Sequence, residues 1–400
     1  MSTDIVTQVA SVPNAQLQGI AAAALSVSSV RDVSVSAVPI DYPVFNPVSV
    51  GIWRVSGSAT TAVGEIRDWS AILKISRSPV GGMTPRGVAP AGWGEDPRHW
   101  NYWKREALAY QSGILADLPG GVAAPRCYGV EDRPDGTIWL WLEEIVDESK
   151  ESWPAERFVA LATNFGSFGG SYLTIRDVPN QEWLESDWLR SWIDDAWASL
   201  VPLIEDPAAW DHPMIRSAFP RPVAQRLIHL WNVRHRILDC LAGLPSILCH
   251  RDAYPSNMFS RRAPDGLWST VAVDWTQMGR GPIGHDLGQI LIPSLLFFWI
   301  KPEDIAQMER ALFDAYERGL RSVGWKGDSA VIRFGFAAAA SLHWCFAGAF
   351  ALRWAQDSHI GAGMARRWGR PIEEIIAQRA AVTYYLLDLA DEALAHPLMR

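Results

Sequence analysis

The stretch LCHRDAYPSNMFSRRAPDGLWSTVAVDWTQMGRGPIGHDL, from Leu248 to Leu287, decides how this chain is interpreted. It sets five polar side chains between apolar runs, namely His250, Asp252, Asn257, Asp274 and Asp286. A charge near a low-dielectric interior is costly unless it is paired or holds a metal ion. We therefore expect a cation or another charged group to bind at this place.

The composition of the whole chain excludes several classes of protein. With 400 residues, 48% of them hydrophobic and 20% charged, it is typical of a globular protein with more than one folding unit. The formal net charge of −8 and the absence of a Lys/Arg run argue against a nucleic-acid partner. A small substrate, which could be cationic, fits better.

The cysteines and the apolar segments indicate where in the cell the protein is expected to be located. Four cysteines are scattered without a Cys-x-x-Cys pair, so we expect neither a zinc site nor disulfides, and a reducing cytoplasm is the simplest location. The N-terminus lacks the basic start of a secretory signal. The segment Phe334–Leu352 approaches membrane-spanning length, but its small residues, Ser341 and His343 favour a buried helix, so no membrane partner is expected. The oligomeric state is not readable from the sequence.

The order of elements predicts an α+β protein. Residues 1–30 are rich in Ala, Ser and Val, and are either partly helical or poorly ordered. Alternating or apolar runs predict strands at 32–40, 51–59, 69–76, 124–132 and 137–145. Asp96 and Pro97 predict the start of a helix that runs to residue 118.

Beyond residue 146 the pattern is mostly helical, interrupted by a hairpin whose turn is predicted at residues 263–266. We therefore divide the chain into an N-terminal extension (1–30), a small antiparallel sheet with one key helix (31–146) and a large, mainly helical part (147–400).

The chemistry of the opening stretch points to phosphoryl transfer. Asp252 and Asn257 lie five residues apart on one loop, and Asp274 ends the next strand. A carboxylate that reaches a hydroxyl, beside an amide and a second carboxylate that hold a divalent ion, suits transfer of a phosphoryl group from a nucleotide. Mg²⁺ prefers such oxygen ligands. The alternative is a hairpin whose Asp and Asn side chains only cap turns.

These residues resemble a known family, the aminoglycoside phosphotransferase and choline kinase-like branch of the protein-kinase-like superfamily. The resemblance rests on His-x-Asp-x-x-x-x-Asn at residues 250–257, on Asp274-Trp275, and on the Gly-rich stretch from Gly279 to Leu287. Judged by element order, it covers roughly residues 32–390. It implies a two-lobed protein-kinase-like fold with a nucleotide-binding N-lobe and a helical catalytic C-lobe. It also implies Asp252 as catalytic base or hydroxyl-orienting group, Asn257 and Asp274 as magnesium ligands, and ATP as the nucleotide.

The family also implies a lysine on the third strand that pairs with the nucleotide phosphates and with a helix glutamate. Lys74 lies in the apolar strand AILKIS, and Glu106 lies in the helix that follows. The alternative is a local surface pairing of Glu106 with its neighbours Lys104 and Arg105.

The rest of the nucleotide site departs from protein kinases. No Gly-x-Gly-x-x-Gly precedes Lys74, and the equivalent loop is predicted in IDYPVFNPVSVGIWRV (40–55), where Asn46 and Ser49 could donate to phosphate. Glu143 and Ile145 resemble a hinge whose backbone would bind the base. Arg251 occupies a position where Gly is common in this branch, and the sequence assigns it no regulatory role.

Several conspicuous residues have a structural explanation that we prefer. His250 is expected to pack and to bond the backbone, and Asp286 to cap a helix or to brace the loop. Four tryptophans interleaved with acids could form an aromatic cage for an ammonium group, but their helical spacing favours a packed face: Trp183, Trp188, Trp192 and Trp197. Trp275 could line the site or pack.

The sequence therefore predicts an ATP-dependent kinase that acts on a hydroxyl of a small molecule, such as an aminoglycoside, an amino sugar or a choline-like metabolite. The alternative is a nucleotide-binding pseudokinase that docks without catalysis. The acceptor is not named by the sequence, because pocket residues are spread over variable helices.

Overall fold

The chain folds into two compact units. The computed structural model describes residues 2–41, 46–84, 87–147, 153–184, 187–262 and 268–400. The first unit comprises Met1–Leu118, Ala123–Lys150 and Phe259–Gln277, and the second comprises Pro119–Val122, Glu151–Met258 and Met278–Arg400. The first unit therefore includes a segment that returns to it from far along the chain. The predicted lobe boundaries at residues 30 and 146 stay predictions.

Strands and helices follow the predicted α+β order. The strands are β1 (Val30–Arg31), β2 (Ser36–Pro39), β3 (Ser49–Thr61), β4 (Ile66–Arg77), β5 (Met83–Thr84), β6 (Gly87–Val88), β7 (Val122–Ala123), β8 (Cys127–Asp132), β9 (Thr137–Leu142), β10 (Ser246–Cys249), β11 (Met258–Arg262), β12 (Trp268–Ala272) and β13 (Gly279–Pro282). The helices are α1 (Ser2–Ala10), α2 (Asn14–Leu25), α3 (Arg105–Gln111), α4 (Ala155–Thr174), α5 (Trp188–Trp192), α6 (Val201–Glu205), α7 (Pro207–Trp210), α8 (Pro213–Ala218), α9 (Ala224–Ala242), α10 (His285–Leu296), α11 (Ile305–Ser322), α12 (Ser329–Trp344), α13 (Phe350–Gln356), α14 (Ser358–Trp368) and α15 (Ile372–Ala395). The predicted hairpin is β11–β12, and its turn lies outside the described residues.

The first unit is built on a six-stranded sheet in the order β1-β3-β4-β9-β8, with β2 also paired to β3. β4 lies in its middle, and its Lys74 is opposite Ile52 of β3 and Leu140 of β9. Successive side chains of a strand point to opposite faces. Ile72 and Lys74 therefore share one face of the sheet, while Leu73 is on the other.

Both faces of this sheet are covered, which explains why β9 and the middle of β4, residues 71–75, are mostly apolar. On one face α3 packs through Ala107 against Ile138, Leu140 and Leu142. On the other face α1 and α2 share a core with the sheet, which includes Ile5, Val9, Leu17, Ile20, Trp53, Leu73 and Trp139. The N-terminal residues are thus helical and contribute to the core of the unit.

The helix predicted from Asp96 and Pro97 begins eight residues later, at Arg105. The Asp96 carboxylate accepts the N–H of Arg98 at 2.9 Å and so forms a local turn instead of a helix cap. The guanidinium of Arg105 then donates to the carbonyl oxygens of Pro97, His99 and Trp100, which holds this segment in turns.

The second unit is mainly helical, and α4 and α11 form its closest helix pair. Glycines allow their backbones to approach: a Cβ at Gly166 would lie 2.0 Å from the carbonyl oxygen of Tyr316. A Cβ at Gly319 would lie 2.1 Å from that of Thr163. Real Cβ atoms do not approach so closely, so the pair requires glycine at both positions.

The apolar segment around residues 334–352 is part of the core of the second unit. The stretch Ser329–Gln356 is long and apolar enough to cross a membrane, yet 89% of its most apolar window is buried inside the protein. Within the described residues it is the only such stretch. This burial agrees with the prediction of a buried core helix.

Candidate active site

In the first unit, Lys74 forms a buried ionic cluster with two acids. Its Nζ lies 2.6 Å from Oε2 of Glu106 and 2.8 Å from Oδ1 of Asp274. Burial alone lowers the pKa of Lys74, but the charges of Asp274 and Glu106 outweigh burial and raise it above its usual value. The lysine therefore stays charged, and the predicted Lys74–Glu106 pair forms. The alternative, a surface pairing of Glu106, does not occur because its side chain is buried.

Glu106 also fixes the backbone next to Asp274. Its Oε1 accepts the N–H of Trp275 at 3.1 Å, while Oδ1 of Asp274 accepts the hydroxyl of Thr276 at 2.7 Å. Asp274 has a φ of 62°, in the left-handed region that L residues other than Asn and Asp seldom adopt. Such strained backbone tends to occur at functional sites. Trp275 is fully buried, so it packs within the unit.

No pattern in the sequence indicated the structural role of Arg105. Its side chain is fully buried, and it donates to backbone carbonyl oxygens of two segments, residues 97–100 before α3 and Thr276 after Asp274. The bonds are to Trp100 at 2.8 Å, to His99 at 2.7 Å and to Thr276 at 3.1 Å. Arg105 thus joins the start of α3 to the backbone two residues after Asp274. A lone arginine beside a lysine on a helix reads as a surface charge, so only the tertiary structure reveals this contact.

In the second unit, Asn257 holds the predicted catalytic residue. The loop after β10 carries Asp252, and a short 3₁₀ turn brings Asn257 back towards it. Nδ2 of Asn257 donates to Oδ2 of Asp252 at 2.8 Å and to its carbonyl oxygen at 3.0 Å. This orients the carboxylate and leaves Oδ1 of Asn257 as the atom able to bind a metal ion.

Asp286 braces the same loop from the start of α10. Its two carboxylate oxygens accept the N–H groups of His250 at 3.0 Å and of Arg251 at 2.8 Å. Burial raises the pKa of Asp286 to about 6, although both donors favour the charged form. Arg251 has a φ of 66°, which these bonds hold in place. His250 is buried, and its Nδ1 accepts the N–H of Asp252 at 3.2 Å, as the structural interpretation expects.

The predicted nucleotide residues occupy less distinctive places in the first unit. Asn46 and Asn101 exchange hydrogen bonds through their amide groups, and Ser49 begins β3. Residues 42–45 of the predicted phosphate loop lie outside the described residues. Glu143 follows β9: its N–H donates to Arg126 at 2.8 Å, and its carboxylate pairs with Arg261 at 3.0 Å. Only the other backbone groups of the Glu143–Ile145 segment can therefore serve a base.

The four tryptophans of the second unit do not line an open cage. Trp183, Trp188 and Trp197 are buried, and Trp192 stacks on Trp188 with a centroid separation of 5.5 Å. The indole N–H groups of Trp192 and Trp197 donate to the carbonyl oxygen of His343. These residues form the packed face that their spacing favours.

The donors at Asn257 and Asp274 suit magnesium by their chemistry. One amide oxygen and one carboxylate are hard ligands, and Mg²⁺ usually takes one or two from the protein and the rest from water or phosphates. Among the described residues, no group of three or more His, Cys, Asp and Glu side chains could hold a metal ion unaided.

Comparison with protein families gives one match. Residues 105–324, more than half of the chain, match the model described as "Phosphotransferase enzyme family". The chain belongs to this family of phosphotransferases. The matched region of the phosphotransferase contains Glu106, Asp252, Asn257 and Asp274, and it begins after Lys74. None of the curated proteins matches it.

Solved structures similar to this phosphotransferase include a microcompartment-associated aminopropanol kinase, with 14% identity, 95% of this chain and 99% of that chain covered, and a TM-score of 0.51. A choline kinase from Cryptosporidium parvum Iowa II has 12% identity, 91% of each chain covered and a TM-score of 0.48. An amicoumacin kinase in complex with AMP-PNP and Ca²⁺ has 14% identity, 87% and 89% covered, and a TM-score of 0.47. The predicted protein-kinase-like fold is confirmed: an antiparallel sheet in the N-terminal part and a mostly helical remainder.

Proposed function

We propose that this phosphotransferase is an ATP-dependent kinase that transfers the γ-phosphoryl group to a hydroxyl of a small molecule. The buried cluster of Lys74, Glu106 and Asp274 carries the proposal. A lysine in the middle of an apolar strand, neutralised by two acids, is costly for a merely structural purpose, since apolar residues of similar volume would serve as well. It is useful if the ammonium group must be presented to phosphates.

Each polar residue then has a role. Lys74 binds the ATP phosphates while Glu106 holds its position. Asp274 and Oδ1 of Asn257 bind Mg²⁺, which would neutralise the charge on the phosphates. Asp252 accepts the proton of the acceptor hydroxyl or orients that hydroxyl, and the amide of Asn257 fixes the carboxylate for this task.

Two further segments of the first unit would bind the rest of the nucleotide. Asn46 and Ser49 precede or begin β3 and would bind phosphate oxygens in place of a Gly-rich loop. The backbone between Glu143 and Ile145, directly after β9, would bind the base through groups other than the N–H of Glu143.

The surroundings of Asp252 within the second unit bear on the acceptor. Tyr254, two residues on, lies 5.1 Å from the ring of Phe297, and that ring stacks on Trp368 at 5.3 Å. Such partly exposed rings could stack on a sugar or an ammonium group. Arg367 and Arg370 lie over rings of the same group, Trp368 and Phe298. Their charges favour a neutral or acidic acceptor over a polycationic aminoglycoside.

A substrate screen tests the proposal. The protein is incubated with Mg-ATP and a panel of neutral, acidic and cationic hydroxyl compounds, and phosphorylated products are detected by mass spectrometry. With the best acceptor, Asp252→Asn should slow single-turnover transfer by at least about 100-fold. It should leave thermal unfolding nearly unchanged. A variant as fast as the wild type would refute the role of Asp252.

The alternative function is a pseudokinase, and the absence of a Gly-x-Gly-x-x-Gly before Lys74 keeps it open. It predicts that Mg-ATP raises the melting temperature while no acceptor is phosphorylated. We also propose a reducing cytoplasm as the location, which agrees with the four free cysteines.

A further inference from the structure

The second unit contains a cavity that the proposed function does not use. Its volume is about 150 Å³, several times the share of about 30 Å³ that one water molecule has in the liquid. It is bounded by α5, the end of α9, the strand pair β10–β13 and the start of α10. Its lining includes Trp188, Leu238, Leu241, Arg251, Arg280 and His285. We call it the Arg251–His285 cavity.

His285 is the first indication that this cavity binds a ligand. Its side chain is 1% exposed, and neither ring nitrogen has a hydrogen-bond partner among the described residues. Buried polar atoms nearly always have a partner, so two such atoms in one buried ring need an explanation. His285 is also the first residue of α10, where helix N–H groups favour a negative charge.

Two arginines give the cavity its charge. Arg251 is 3% exposed, and its guanidinium lies 5.0 Å from the centre of the Trp188 ring. Burial lowers the pKa of Arg251 to about 10, which a bound anion would reverse. Arg280 adds a second guanidinium, whose Nη2 donates to the carbonyl oxygens of Val178 at 3.0 Å and Pro179 at 3.2 Å. Asp187 also borders the cavity, but its carboxylate is largely exposed and binds Arg190 at 2.8 Å.

Two glycines of β13 let side chains of the cavity pack against this strand. A Cβ at Gly279 would lie 2.6 Å from Nη1 of Arg251. A Cβ at Gly281 would lie 2.8 Å from Sγ of Cys249 and 3.3 Å from Nδ1 of His285. The side chains of Arg251 and His285 therefore lie directly against the backbone of β13, which fixes their positions at the edge of the cavity.

We propose that the Arg251–His285 cavity binds a small oxyanion, such as inorganic phosphate. Guanidinium groups bind tetrahedral oxyanions through paired hydrogen bonds, and His285 and the helix start supply further donors. Arg251 directly precedes Asp252, so the bound anion holds the loop that positions the catalytic carboxylate. This second step rests on the proposed function, whereas binding itself does not.

The binding test uses the full chain at pH 7.5, titrated with sodium phosphate against sodium chloride of equal ionic strength. We expect a saturable rise in melting temperature with phosphate. The rise should disappear in His285→Phe and persist in His229→Phe, which changes an exposed histidine. It should also persist in Lys74→Met, which separates this cavity from the nucleotide site.

A second variant keeps the test decisive if His285→Phe fails to fold. Arg280→Gln keeps a donor but removes the charge, and it should weaken phosphate binding by about tenfold. No phosphate effect in the wild type, which would mean that the cavity holds only water, overturns the proposal. An equal effect in His285→Phe or Arg280→Gln overturns it as well. If phosphate binds to the wild type but leaves its transfer rate unchanged, the proposed effect of the anion on the loop of Asp252 is wrong. The proposal that the cavity binds an oxyanion then still stands.

Discussion

At the scale of single residues, Lys74 shows how a buried charge is stabilised by its neighbours. Its side chain is only 9% exposed, and two carboxylates within 2.8 Å compensate its charge. Taking charges out of water costs several kcal/mol per ion, so the cluster depends on all its members. Loss of one member leaves the others uncompensated.

Lys74→Met should therefore harm stability as well as nucleotide binding. We expect a loss of about 3–5 kcal/mol in the free energy of unfolding, because the buried carboxylate of Glu106 then loses its partner and remains beside the like charge of Asp274. Binding of Mg-ATP, measured by calorimetry, should weaken by at least about tenfold. The matched control is Lys326→Met at an exposed lysine, which should change neither quantity. Equal effects of the two substitutions would show that the charge of Lys74 is not special.

The sequence could predict part of this cluster. A lysine inside an apolar strand and a glutamate on the next helix predict a pair without any coordinates. The contact between Lys74 and Asp274 joins residues 200 positions apart, so no local sequence pattern predicts it. Arg105 was missed for a similar reason, since its partners are backbone carbonyls and carry no residue-type signal.

At the scale of elements, α3 depends on the turns before it. Arg105→Met would leave several buried carbonyl oxygens without a donor, at a cost of about 1–3 kcal/mol. Arg105 acts as a positioning residue, because it anchors the backbone after Asp274. The apparent KM for Mg²⁺ should therefore rise more than that for the acceptor. Arg105→Lys should partly restore it.

Arg98 provides the comparison, because it precedes the same helix and is exposed. Arg98→Met should leave both the free energy of unfolding and the requirement for Mg²⁺ unchanged. If Arg105→Met lowered stability with no change in the requirement for Mg²⁺, its role would be structural only.

The N-terminal helices are part of the first unit's core. Ile20 of α2 is 3% exposed and belongs to the cluster that covers the sheet. Ile20→Ala should lower the free energy of unfolding in urea by about 2–5 kcal/mol. Val6→Ala, at a residue of α1 that is 39% exposed, should cost less than about 0.5 kcal/mol. Similar losses at both positions would contradict this packing.

The elements themselves were largely predictable, and their ends were not. The strands with regular alternation appear where expected, because a sheet with two covered faces leaves a strong apolar pattern. The helix start at residue 97 was wrong because the Asp96-Pro97 signal is shared by helix caps and turns. The sequence could not decide whether residues 1–30 are helical, because the partner that buries them lies elsewhere in the chain.

At the scale of the whole molecule, buried titratable groups make stability depend on pH. Burial and the charge of Arg251 lower the pKa of His285 from 6.5 to about 3. The unfolded chain then binds this proton first, so the contribution of His285 to stability is lost as the pH falls below about 6.5. Asp286 has the opposite sign: its raised pKa of about 6 makes folding more favourable as the pH falls towards 4.

Comparison of the wild type with His285→Phe isolates the histidine. The difference in the free energy of unfolding between them, measured in urea from pH 7.5 to 4.5, should shift in favour of the variant as the pH falls. His229→Phe, at an exposed histidine, is the matched control for the loss of an imidazole. A flat difference for His285→Phe would mean that the pKa of His285 is the same in the folded protein as in the unfolded chain.

The return of residues 259–277 to the first unit is the least predictable feature of the molecule. Their hairpin pattern shows that two strands pair, but it does not show against which unit they pack. The residues of the proposed catalytic loop, in contrast, can be predicted from their type and spacing, since phosphoryl transfer needs few side chains in a fixed order.

The glycine contact between α4 and α11 has a consequence for engineering. Tyr316, whose carbonyl faces Gly166, also accepts the N–H of Gly284 through its hydroxyl at 3.3 Å, and Gly284 precedes the helix that carries Asp286. A methyl group added at Gly166 would displace Tyr316 and so disturb the start of α10, whose Asp286 holds the proposed catalytic loop. Libraries that seek new acceptors should leave Gly166 and Gly319 untouched, because most clones altered there would lose activity for reasons unrelated to recognition.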